Sequence, residues 1–94
     1  MSHLVVNRGE QMSDEEVQLL AKQLEADLLK LYGSPMLSGE QLQRAMGYRT
    51  VDALRQAILR QTIPVEVFKL ENRRGHYALV KDIAQWLAEK SRGG

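Results

Sequence analysis

The chain has no cysteine. That excludes a disulfide framework and a thiolate zinc site, and it fits a reducing compartment. No apolar run approaches the roughly 18 residues of a membrane span, and the N-terminus carries no signal-peptide pattern, so a cytoplasmic protein is expected. Repeats and low-complexity segments are missing. The two histidines, His3 and His76, lie too far apart for a ligand pair, and no metal or cofactor is expected. There is no nucleophile–base–acid set and no phosphate-cradling glycine loop. The acids that cluster do so at a helix start. The reading is therefore of a non-enzyme, with no small-molecule ligand evident.

Hydrophobic content of 44% and charged content of 27% are those of an ordinary folded domain, and 94 residues allow one small domain plus an appendage. Net charge is +1, but it is unevenly placed. Residues 1–35 hold six acids against three bases, and residues 36–94 hold ten bases against six acids. Seven of those ten bases are arginine, the side chain suited to phosphates and guanine edges.

Three segments follow from the pattern: an arm over 1–12, an amphipathic helix over 13–33 and a compact domain over 36–90. In the first helix Ser13-Asp14-Glu15-Glu16 has the form of a capping box, and three acids in the first turn complement the dipole. Val17, Leu20, Ala21, Leu24, Leu28 and Leu31 make one stripe, and Tyr32-Gly33-Ser34-Pro35 ends it. Val17, Leu20, Leu24, Leu28 and Leu31 are read as a homodimerisation seam, and the off-stripe Leu19 and Leu29 are expected to pack on the compact domain. In that domain Met36-Leu37 reads as a short strand. Ser38-Gly39-Glu40-Gln41 reads as a second capping box opening a two-turn helix with Leu42, Ala45 and Met46 inward, closed by Gly47. Thr50 caps a second helix running to Gln61, with Leu54, Ala57, Ile58 and Gln61 on the inner face. Pro64 forbids its continuation.

A hairpin is expected next. With Asn72 to Gly75 as the loop, Phe68 faces Leu79 and Leu70 faces Tyr77. Alternation then puts Phe68, Leu70, Tyr77 and Leu79 inward and Lys69, Glu71, His76 and Ala78 outward. Ile83, Trp86 and Leu87 give the last helix its apolar face, and Ser91 to Gly94 reads as a frayed tail.

The candidate nucleic-acid residues come from two places. On the outer face of the 50–61 helix are Asp52, Arg55, Gln56 and Leu59, with Arg49 and Thr50 at its start and Arg60 at its edge. Arginine can donate to guanine and glutamine to adenine. Asp52 repels phosphates yet can accept from a cytosine amino group. Leu59 either meets a thymine methyl or packs on the N-terminal helix, the second being the expectation. At the loop, Asn72, Arg73, Arg74 and His76 suit a phosphate or minor-groove contact, against the plainer reading of a solvated turn.

The stretch Leu37 to Leu87 resembles the winged-helix domain shared by MerR-like regulators, excisionases, and AlpA-type or pyocin-activator-type small regulators. The resemblance is carried by Ser38-Gly39-Glu40-Gln41-Leu42, Gly47-Tyr48, Leu54…Ile58, Ile63-Pro64, Phe68-Lys69-Leu70, Arg73-Arg74 and Asp82-Ile83…Trp86-Leu87. It implies an α+β winged helix-turn-helix, here with an additional long N-terminal helix. It also implies double-stranded DNA as partner, through Thr50, Arg55, Gln56, Arg73 and Arg74. Transcription regulation is the leading role. A DNA-bending excisionase and a winged helix used for protein–protein contact are the alternatives. MerR-type regulators carry their dimerisation helix after the domain, whereas here the long helix precedes it.

Overall fold

The computed structural model describes residues 12–92. The expected arm, with His3 and Leu4-Val5-Val6, lies outside them except for Met12, as do the last two residues. Four helices and a two-stranded antiparallel sheet form an α+β fold: α1 (Asp14–Tyr32), β1 (Met36–Ser38), α2 (Gly39–Met46), α3 (Val51–Leu59), β2 (Tyr77–Leu79) and α4 (Val80–Ser91). None of the described helices is long and apolar enough to cross a membrane.

The capping box of α1 is formed. The Ser13 hydroxyl accepts from the Glu16 amide at 3.1 Å, and the Ser13 amide donates to the Glu16 carboxylate at 2.8 Å. Gly33, at φ +75, closes the helix by donating to the Leu29 carbonyl. α1 then lies antiparallel to α4 of its own chain. Asp14 meets Arg92 at one end, and the Val80 amide donates to the Pro35 carbonyl at the other. Fully buried Val17 and Ala88, with Ala21, let the two helices approach closely, while Leu28, Leu29 and Tyr32 pack on the main core. Leu19 is 65% exposed, contrary to the expectation that it packs with Leu29, because it lies on the side of α1 turned from α4. Arg92 holds the open end of the helix pair. Its pKa is raised, first by its hydrogen bond to Asp14 and further by the nearby charges of Asp14 and Glu89, with desolvation opposing.

The main core joins Leu37, Leu42, Met46, Leu54, Ala78, Val80 and Ile83. Its sheet departs from the expected hairpin in register and in phase. β2 pairs with β1, Leu37 opposite Ala78 and Ser38 opposite Tyr77, while on its other side Phe68 pairs with Tyr77 and not with Leu79. Phe68 and Tyr77 exchange both backbone hydrogen bonds, at 2.9 and 2.8 Å, and their rings lie 6.2 Å apart and nearly parallel. Ala78 is fully buried where an outward residue was expected, and Tyr77 and Leu79 are only half-buried. Leu37, the cross-strand partner of Ala78, is buried with it, so this pair turns the middle of the sheet toward the core. Ser38 makes no cap: it is extended, in β1, and its side chain forms no capping bond to α2.

Thr50 does cap α3, its hydroxyl accepting from the Ala53 amide at 3.0 Å. α3 is shorter than expected and ends before Pro64 is reached. Gln61 takes φ +58, its amide donates to the Ile58 carbonyl, and the Thr62 amide donates to the Ala57 carbonyl at 2.9 Å. That is the Schellman closure. It turns Gln61 out to solvent instead of into the core face. Gly47 ends α2 by the same bonding, from Gly47 to Arg44 and from Tyr48 to Gln43. The last helix continues through Ser91, which therefore belongs to α4 and not to a frayed tail.

Candidate nucleic-acid interface

α3 sorts its side chains by helical periodicity. Leu54 and Ala57 are buried and Val51 and Ile58 half-buried, which leaves Asp52, Arg55, Gln56 and Leu59 (i, i+3, i+4, i+7) on one outward row. Arg49 and Thr50 are exposed just before the helix and Arg60 just after it. On the outward row, Arg55 Nη1 donates to Asp52 Oδ1 at 3.0 Å. Both side chains are mostly in solvent, so the pair adds little to stability. Leu59 is 72% exposed and so does not pack on α1 as expected.

The basic loop is longer than the four residues expected. Closure at Phe68 and Tyr77 leaves residues 69–76 to cross between them. The Arg73 amide donates to the Leu70 carbonyl at 3.2 Å, with Asn72 at φ +62 inside that turn. Gly75, at φ +81, then brings the chain back. Asparagine and glycine are the residues that take a left-handed backbone at least cost. Lys69, Glu71, Asn72, Arg73 and Arg74 are exposed. Lys69 is a base that the sequence reading had placed in a strand, and the displaced register puts it in the loop.

The loop returns against α3. Gly75 and His76 line a cleft of about 120 Å³ together with Arg55, Val51, Leu54 and Ile58 of α3 and Gly39 at the start of α2. His76, expected on the outer face of a hairpin, is half-buried at this cleft. Arg55 is thus the member of the outward row that lies beside the returning end of the loop.

The arginines divide in a way the sequence does not display. Arg44, Arg55 and Arg92 are paired with Glu40, Asp52, and Asp14 and Glu89 respectively. Arg49, Arg60, Arg73 and Arg74 have no ion pair among the described residues, and they flank α3 or stand on the loop. Four exposed guanidinium groups therefore have no carboxylate partner among the described residues, two flanking α3 and two on the loop.

Of the expected dimer seam, Val17 is fully buried within the chain and Leu20, Leu24 and Leu28 are partly buried, whereas Leu31 is 71% exposed. Among the described residues no three His, Asp or Glu side chains gather as metal ligands would. Comparison with known proteins brings no match: no family model fits the sequence, and neither a curated protein nor a solved structure is significantly similar.

Proposed function

We propose that the chain is a sequence-specific double-stranded-DNA-binding protein of the winged helix-turn-helix type, acting as a small transcription regulator in the cytoplasm. α2 and α3 are its helix pair, α3 enters the major groove, and residues 72–75 are the wing on the backbone or minor groove. The observation that carries this reading is that Arg55 of the α3 outer row lines one cleft with Gly75 and His76 of the loop, while the four arginines lacking a carboxylate partner flank α3 or stand on the loop. A groove-bound helix needs base-reading side chains along one row and phosphate contacts beside it, and this surface supplies both. The likeness to MerR-like and excisionase domains agrees with the reading.

The test is a fluorescence-polarisation titration of the full chain with duplexes enriched from a random pool, at two salt concentrations. Binding to an enriched duplex should exceed that to random duplex and weaken with salt. Replacing Arg73 and Arg74 together by alanine should weaken binding to all sequences alike, and it should reduce the slope of log affinity against log salt by roughly one to two. Failure to bind any duplex beyond the random level at low salt overturns the proposal.

A further inference from the structure

Leu59 is the most exposed large apolar side chain of the described residues, and it stands on the one row of α3 that is otherwise polar. Neither the core nor α1 covers it. Solvated leucines on a helix end are common, but this one lies in line with Asp52, Arg55 and Gln56 and is bracketed by Arg49 and Arg60. A partner for this row must therefore offer negative charge beyond its two ends and an apolar group at its C-terminal end. Duplex DNA offers both in its major groove: phosphates along the walls and the 5-methyl of thymine on the floor. We propose that Leu59 contacts a thymine 5-methyl, and that Arg55, beside Asp52, donates to a guanine edge in the same groove. The inference rests on the DNA-binding reading and adds to it which bases are read.

The spacing follows from the helix. Arg55 and Leu59 are four residues apart, about 6 Å along the axis at 1.5 Å per residue. Base pairs rise about 3.4 Å each. A helix lying along the groove therefore places the guanine and the thymine about two base pairs apart. Arg49 and Arg60, beyond the two ends of α3, fall nearer the walls. Gln56, between the two readers, is left to contact the intervening position.

The experiment exchanges one methyl group at a time. Each thymine of the enriched duplex is replaced by deoxyuridine, and each guanine by 7-deazaguanine, in polarisation titrations with the full chain. With wild-type protein, one uracil substitution should weaken binding about fourfold, the value of one buried methyl. A deaza-guanine about two base pairs away should also weaken it. Leu59→Ala should bind the thymine and uracil duplexes equally, at the wild-type affinity for the uracil form. Because Leu59 is exposed, this variant should keep the wild-type melting midpoint. Enriched binding with no uracil effect, or methyl discrimination that survives in Leu59→Ala, overturns the assignment while leaving the DNA-binding reading intact. A changed solution mass for Leu59→Ala gives the leucine to a second copy of the chain and overturns it likewise. Absence of any enriched duplex overturns both.

Discussion

Asp52 places a negative charge on a helix face whose other charged group is Arg55, and the two effects of that charge oppose each other. It sits in the first turn of α3, where a carboxylate is favoured by the helix dipole, and it accepts from Arg55 at 3.0 Å. Against a phosphate backbone the same charge is repulsive. If α3 enters a groove, removing the carboxylate should separate the two effects. Asp52→Asn is expected to bind random duplex about two- to fivefold more tightly at low salt, the scale of one exposed charge interaction. It should also lose much of the difference between enriched and random duplex, since Arg55 loses the carboxylate beside it and Asp52 can no longer reject a wrong base. Paired titrations of both duplexes give the ratio directly. An unchanged ratio would confine Asp52 to starting the helix. His76 and Gly75 reach the same cleft from the loop side, so their substitution tests the adjacency of the two elements more than any base contact.

At the level of elements, α2 and α3 both end in a Schellman closure, yet one has glycine at the left-handed position and the other Gln61 at φ +58. A non-glycine residue in that conformation costs about 1–2 kcal/mol. Glycine avoids that cost but gives back roughly 0.4–1 kcal/mol through a freer unfolded chain. Gln61→Gly is therefore expected to stabilise the protein by about 0.5–1 kcal/mol, a rise of several degrees in a thermal melt followed by circular dichroism. A lower midpoint would mean that the glutamine side chain itself holds the turn.

Local signals of this kind were legible where a residue acts on its own backbone. Ser13, Gly33, Gly47 and Thr50 each do what their side chains, or the lack of one, dictate. The same reasoning failed at Ser38, because β-pairing with Tyr77 fixes that residue from across the sheet. It failed again in the loop, where alternation favoured the larger residues as inward. The inward position at Ala78 goes with its pairing to Leu37, a residue some forty positions earlier that no local window contains. The arginine-bearing loop was legible as a turn. Its length was not, since it follows from that displaced register. The outward row of α3 could be read from its period, whereas which arginines lack a carboxylate partner could not.

For the whole molecule, the proposed DNA binding sets a requirement on contact area. One such module covers about 600–1,000 Å² of protein surface on DNA, and two-fold sites double the contact. α1 was the element expected to join two copies. Its packing on α4 takes Val17 and Ala21 into the chain's own interior, so the full stripe is not available to a partner. What remains outward is narrower. Leu20 and Leu24 are partly exposed and Leu31 is 71% exposed, and at i, i+4 and i+11 the three stay within one edge of the helix. Leu19, on another side of α1, cannot join them. We propose that this edge meets its counterpart across a two-fold axis, so that each copy carries one α3 and one arginine loop to successive half-sites. Light scattering coupled to size exclusion, at tens of micromolar, should return about twice the chain mass of 10.7 kDa. Leu31→Asp should lower that mass to one chain with the melting curve retaining its cooperative transition, while Leu19→Asp should leave the mass unchanged. A wild-type mass near 10.7 kDa would assign α1 wholly to its own chain, and two-fold binding would then have to arise on the DNA.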